Sequence, residues 1–132
     1  MAKSGRYSGS IIVVDDDVEM RGYVKAVLES IGYTVFPAVD GFACMRLLAS
    51  VTPSAILLDV AMPGMDGYET CRRIRSMRPD LNCPIIFLTA RKSMEDVQMA
   101  RDVGGNHFLL KPIVPEKLVS RLLHFMGREM AP

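Results

Sequence analysis

Residues 55–67, AILLDVAMPGMDG, decide the fold. The first four are apolar without alternation, as a strand buried on both faces requires. The run then ends on a carboxylate, Asp59, and the chain breaks at Pro63-Gly64. Such a carboxylate is either a cap on the next segment or a group placed for chemistry at a strand's carboxyl end. The neighbouring segments bear on which.

Short β-branched runs recur at 10–14 (SIIVV), 34–38 (TVFPA), 84–89 (PIIFLT) and 107–110 (HFLL), besides 55–59. Longer stretches with helical spacing lie between and after them, at 18–31, 41–49, 67–77, 94–103 and 115–128. In the first of these, Val24, Val27, Leu28 and Ile31 form one buried stripe at i, i+3, i+4, i+7. In the last, Leu118, Leu122 and Phe125 share a face. Asp17 is placed to cap the first helix, and Asp66 with Glu69 and Ser93 with Asp96 resemble capping boxes. Pro115 suits a first helical position, while Gly32 and Gly104 fall where helices should stop.

Five strand–helix pairs in strict alternation imply a parallel sheet covered on both faces. Pro37 cannot donate to a central ladder, so the second strand belongs at an edge. The doubly wound order 2-1-3-4-5 puts it there, with ligands expected at the strands' carboxyl ends beside the first and third. The fold class expected is α/β, a flavodoxin-like five-stranded parallel sheet in one domain over 10–128, with a flexible lead over 1–9 and a tail over 129–132.

The length of 132 residues fits one sizeable core. Sixteen basic and 15 acidic residues give a net charge of +1, with no general pull toward nucleic acid or membrane. Cys44, Cys71 and Cys83 are an odd set without C-x-x-C spacing, read as reduced thiols in or near the core. No apolar run approaches the roughly 20 residues that span a bilayer, and the first ten residues lack the apolar centre of a signal peptide. A cytoplasmic protein is expected.

Four of the five predicted strands deliver a charged or hydroxyl residue to one rim. The first ends in Asp15-Asp16-Asp17, the third in Asp59, the fourth in Thr89-Ala90 and the fifth in Lys111-Pro112. Converging carboxylates repel, and either take up protons or recruit a cation. All-oxygen ligands favour Mg²⁺, which often bridges to phosphate. A carboxylate beside it can attack phosphorus, with Thr89 and Lys111 donating to the phosphoryl oxygens. Asp59 is therefore read as a phosphoryl acceptor.

The pieces IIVVDDD, AILLDVAMPGMDG, IIFLTA and HFLLKP, in this order over residues 10 to 128, resemble the receiver domain of two-component response regulators. The resemblance implies a phosphoacceptor switch rather than an enzyme, with Asp59 phosphorylated from a sensor histidine kinase or a histidine phosphotransfer protein. It implies Mg²⁺ (or Mn²⁺) held by Asp15, Asp16, Asp59 and the backbone carbonyl of Ala61. Thr89 matches the switch hydroxyl, Lys111 the phosphate-binding lysine and Phe108 the aromatic switch position. A cis bond between Lys111 and Pro112 is also implied. On phosphorylation Thr89 and Phe108 would move inward, altering the face of the fourth helix, fifth strand and fifth helix toward a downstream protein. The chain would act as a monomer or a phosphorylation-dependent dimer, without direct nucleic-acid or membrane binding.

Alternatives separate on residues. A haloacid-dehalogenase-type phosphohydrolase needs D-x-D at its nucleophile, but position 61 is Ala. A flavodoxin needs a hydroxyl- and glycine-rich phosphate loop where this chain has DDDVEMRG. Neither His107 nor His124 sits in a triad or zinc pattern, and the four arginines of RRIRSMRP (72–79) read as a solvated face. No output domain is expected after residue 128, which leaves a stand-alone regulator or a receiver cut from a hybrid kinase or transcription regulator.

Ala61 and Arg91 stand two residues after Asp59 and Thr89, where the family tunes the lifetime of the aspartyl phosphate. Ala61 leaves room for an attacking water; Arg91 can cover the phosphoryl group. If Arg91 shields it, Arg91→Ala speeds dephosphorylation, measured as phosphate release; unchanged or slower decay refutes the shield.

Overall fold

The computed structural model describes residues 7–90 and 92–126. Strands and helices alternate as β1 (Ser10–Val14), α1 (Val18–Ser30), β2 (Thr34–Ala38), α2 (Gly41–Leu47), β3 (Ala55–Asp59), α3 (Gly67–Met77), β4 (Ile85–Thr89), α4 (Met94–Asp102), β5 (His107–Leu110) and α5 (Pro115–Phe125). The strands form one parallel sheet in the order β2-β1-β3-β4-β5, the order the alternation and Pro37 imply. Pro37 lies on the edge strand, in register with Val13.

Alternate residues of each central strand feed two separate cores. Ile12, Val14, Ile56, Leu58, Ile85 and Phe87 face α2, α3 and α4 and pack with Cys44, Cys71, Ile74 and Ala100. Ile11, Val13, Leu57, Ile86, Leu88 and Leu109 face α1 and α5 and pack with Val24, Leu28, Leu118 and Leu122. A strand clothed on both sides has no reason to alternate, and each such Ile or Leu contributes about 1.5–3 kcal/mol of burial. All three cysteines are buried, free thiols. Burial pushes Cys44 up to about 12 and Cys71 up to about 11, so both stay protonated. No helix among the described residues is long and apolar enough to cross a membrane.

Local signals set the helix ends. The Asp17 carboxylate accepts from the amides of Glu19 and Met20 at 3.0 and 3.4 Å. Ser93 and Asp96 form a reciprocal capping box, and Pro115 occupies the first turn of α5. Asp66 completes only half of its box, because the Glu69 carboxylate is drawn to Arg72 and Arg73 instead of reaching back. α2 stops at Leu47 rather than Ala49; there the chain tightens, with Ala49 N–H on the Arg46 carbonyl at 3.2 Å. The last residues expected in α5, 127–128, lie outside the described residues.

Two expectations change. Tyr7, assigned from sequence to a flexible lead, is only 6% exposed. Its amide donates to the Ile31 carbonyl at 3.1 Å, and its ring stacks on Tyr33 with centroids 5.9 Å apart. Gly32 makes this possible: at φ +119° it turns the chain, and a Cβ there would meet the Tyr7 carbonyl oxygen at 2.1 Å. The arginine run is likewise not a plain solvated face. Arg75 donates to the carbonyls of Gly104, Leu81 and Cys83 at 2.8–2.9 Å and to Asn106 Oδ1 at 3.0 Å. Arg78 reaches the Leu48 carbonyl at 2.8 Å.

Arg75 thus pins α3 to the segments leading into β4 and β5. Arg75→Ala should lower the unfolding free energy by about 2–3 kcal/mol in urea titration, the scale of charge-assisted hydrogen bonds whose carbonyl partners lose their donor. Arg72→Ala, which removes only a surface pair with Glu69, should leave the midpoint unchanged; equal effects would refute the distinction.

Candidate functional site

β1 and β3 are neighbours, paired through Val14 and Leu58, so their next residues, Asp15 and Asp59, emerge side by side. Asp15 is 1% exposed and Asp59 4% exposed, the only buried carboxylates among the described residues. Asp15 is held on several sides. Its amide donates to the Ala38 carbonyl at 3.2 Å, its carboxylate accepts from the Asp17 amide at 2.9 Å, and its carbonyl accepts from the Arg21 guanidinium at 2.7 Å. Asp16 is exposed, and carboxylate oxygens of Asp15, Asp16 and Asp59 all lie within 4.8 Å of one another.

Asp59 is fixed from behind. The Val60 amide donates to the Leu88 carbonyl at 3.0 Å, and the Gly67 amide to the Val60 carbonyl at 2.9 Å. α3 begins directly against this backbone: a Cβ at Gly67 would meet the Asp59 carbonyl oxygen at 2.3 Å. From β5, Lys111 extends its ammonium to Asp59 Oδ1 at 3.1 Å and to Asp15 Oδ2 at 3.3 Å. Its amide donates to the Thr89 carbonyl at 2.7 Å, and the Lys111–Pro112 peptide is cis, as the family resemblance implies.

These groups open into a cavity of about 480 Å³, lined also by Ala61, Thr89 and Asp96. Phe108 is not in this lining. It stands on β5, tilted on Phe87 of β4 with centroids 5.6 Å apart and the Lys92 ammonium 5.6 Å over its ring. Arg91 lies outside the described residues. Two contributors have no site role in the sequence reading. Arg21 steadies Asp15. Asp96 carries only a capping signal in the sequence; its place in the cavity depends on α4 starting beside the β4 end.

Burial chiefly, aided by Asp15 and Asp16, holds the Asp59 carboxyl above the usual carboxylate range despite the hydrogen bond from Lys111. Burial works against the Lys111 ammonium, but the bond from Asp59 and the charges of Asp59 and Asp15 outweigh it, so its pKa is raised. One ammonium against three carboxylates leaves excess negative charge on all-oxygen donors. Such a set fits a hard divalent cation, for which Asp15, Asp16 and Asp59 are the available side-chain ligands.

The chain matches the sequence profile described as the response regulator receiver domain over residues 11–123. It is 42% identical over 118 residues to the response regulator MprA of Mycobacterium ulcerans, covering 89% of this chain and 50% of that one. It therefore spans about half the length of the curated relatives it matches. Among solved structures, the chemotaxis protein CheY4 of Vibrio cholerae superposes with a TM-score of 0.86 at 31% identity, covering 90% of this chain and 99% of that one. The signal receiver domain of a histidine kinase from Syntrophus aciditrophicus gives a TM-score of 0.79 at 32% identity, covering 90% of each chain.

The raised Asp59 pKa bears on stability. Between the ordinary value of 3.8 and the raised one, the folded protein keeps a proton that the unfolded chain has lost, so stability falls as pH rises through that window. In EDTA, Asp59→Asn should therefore melt above wild type at pH 8, by roughly 4 °C for each 1 kcal/mol of relieved desolvation and repulsion. The gap should close at acid pH. An Asp59→Asn melting temperature equal to or below wild type at pH 8 would refute this.

Proposed function

The chain belongs to the response regulator receiver domain family, and from that premise we propose that it is a phosphorylation-driven switch with Asp59 as its acceptor. The observation that carries this reading is the meeting of Asp59 with Asp15, Asp16 and Lys111 in one open cavity. The phosphoryl donor is the phosphohistidine of a sensor kinase or a histidine phosphotransfer protein. Asp15, Asp16, Asp59 and the Ala61 carbonyl hold Mg²⁺ or Mn²⁺. When bound, the cation supplies the positive charge that phosphoryl oxygens need on approaching three carboxylates.

An Asp59 carboxylate oxygen forms the new bond to phosphorus while the phosphorus–nitrogen bond to the donor imidazole breaks, leaving its electron pair on nitrogen. Lys111, already on Asp59, turns its ammonium to the phosphoryl oxygens. Thr89 donates its hydroxyl to one of them. Water attack on the same phosphorus later returns phosphate and free Asp59, with Ala61 and Arg91 setting how readily water arrives. The chain is thus a switch that takes part in its own phosphorylation and dephosphorylation. Its buried free thiols suit a reducing, cytoplasmic setting.

The signal leaves through the α4-β5-α5 face. Phosphorylation adds about −1.5 to −2 charge, Thr89 is drawn toward it, and Phe108 follows into the vacated space. Phe108 has no hydroxyl, so its inward state rests on packing alone. Two adjoining grooves on this face, of about 290 and 360 Å³, share Lys92, Phe108 and Arg121. Their lining among the described residues adds Arg101 and Lys117 but no carboxylate. The downstream protein therefore presents carboxylates beside an apolar side chain. The chain acts as a monomer or a phosphorylation-dependent dimer, without direct contact to nucleic acid or membrane.

Intact mass after incubation with Mg²⁺ and acetyl phosphate tests the acceptor. One phosphoryl adduct is expected on wild type, lost in EDTA and absent from Asp59→Ala. An adduct that persists in Asp59→Ala sinks the assignment. Where no adduct accumulates on wild type, a beryllofluoride-dependent structural change distinguishes fast turnover from a receiver without phosphotransfer.

A further inference from the structure

Asp96, in the first turn of α4, lines the same cavity as Asp59. Its carboxylate works in two directions. Oδ2 accepts from the Ser93 amide at 2.9 Å and the Ser93 hydroxyl at 2.8 Å, which is the local cap. Oδ1 accepts from the Tyr68 hydroxyl at 2.9 Å, a tertiary bond to α3. One carboxylate therefore binds the start of α4 both to itself and to a neighbouring helix.

The Tyr68 ring continues the connection. It stands edge-on to Phe87, centroids 4.9 Å apart with an interplanar angle of 63°, and Phe87 in turn packs against Phe108. Gly105 lets the chain pass closely: a Cβ there would meet Phe87 Cε2 at 2.2 Å. Three rings thus run from the cavity rim to the aromatic of β5. Burial chiefly, then the Asp96 bond and the charges of Asp96 and Asp66, raise the Tyr68 pKa, so the hydroxyl remains a donor at physiological pH.

We infer that Tyr68 is a positioning residue that fixes Asp96 at the cavity rim and tethers α4 in the unphosphorylated arrangement. The inference rests on Asp59 being the acceptor. A phosphoryl group there adds about −1.5 to −2 charge to a cavity that the Asp96 carboxylate already lines. Like charges repel, and withdrawal of Asp96 relieves the repulsion. The capping box then carries the first turn of α4 with it. The Tyr68 bond is what this withdrawal breaks. An interaction stronger in one state weakens any ligand of the other state by the same factor, so the tether holds down affinity for the phosphoryl group.

The test is calorimetric titration of the intact chain with beryllofluoride, a phosphoryl mimic, at saturating Mg²⁺. Tyr68→Phe should bind at least about 5-fold more tightly than wild type, the lower end of ordinary coupling between sites. Its stability without beryllofluoride should fall, so tighter binding by a less stable protein separates positioning from a purely structural role. Asp96→Asn keeps an acceptor but removes the charge, and should also tighten binding; Tyr68→Phe added to it should change nothing further. Equal or weaker binding by Tyr68→Phe, or an effect that survives in Asp96→Asn, overturns the tether. If Tyr68→Phe does not fold, Tyr68→Met, which also lacks the hydroxyl, takes its place: tighter binding supports the inference and equal or weaker binding ends it. A wild type that takes up no beryllofluoride removes the acceptor reading and the tether together, whereas uptake by wild type equalled by Tyr68→Phe removes only the tether.

Discussion

The structure is organised around the convergence of Asp15, Asp16 and Asp59 at the ends of two adjacent parallel strands. Water would dissipate their repulsion, but Asp15 and Asp59 are buried. The surroundings compensate with fixed donors: the Lys111 ammonium across two carboxylates, and the Asp17 amide on Asp15. Burial chiefly, with the charges of Asp15 and Asp16 added, still holds the Asp59 carboxyl above the usual range. Three carboxylates around one ammonium leave a donor set of the kind that suits a hard cation. The opposing stabilisation comes from elsewhere, in the strands that carry these residues between two apolar cores.

Much of this was legible in the sequence because it depends on local chemistry or on few topologies. β-branched runs without alternation marked strands covered on both faces, and Pro37 placed β2 at the edge. Once the order was fixed, chain connectivity alone brought Asp15, Asp59, Thr89 and Lys111 to one rim. The misread residues share a different feature. Arg75, Glu69 and Tyr7 each had a local reading, as solvated face, capping box and loose lead. In each case a competing partner changed it. For Arg75 and Tyr7 the partners lie on connecting segments, and nothing in the spacing of apolar residues encodes a guanidinium reaching three carbonyls. For Glu69 the competitors are on its own helix, yet two arginines outweigh one backbone amide.

A net charge of +1 conceals a strong separation. Carboxylates gather at the strands' carboxyl ends, while Lys92, Arg101, Lys117 and Arg121 line the grooves beside β5. Lys111 belongs to both regions, its ammonium on the acidic cluster while the residue also lines the second groove. The two regions are also joined through side chains, by Tyr68, Phe87 and Phe108. Charge added at one place is thereby mechanically close to the other, although the summed charge of the chain indicates nothing of the kind.

The sheet separates two cores, one beneath α2, α3 and α4 and the other beneath α1 and α5. Substitutions confined to one core meet the other only through strand backbone, and distant, unshared sites combine additively. Each core can therefore drift in sequence on its own schedule. The α4-β5-α5 face is where this freedom ends, because α4 rests on one core, α5 on the other, and β5 sends Phe108 and Leu109 to opposite sides. Epistasis between the two halves of the interior should concentrate along that seam, so a substitution there must suit both cores at once.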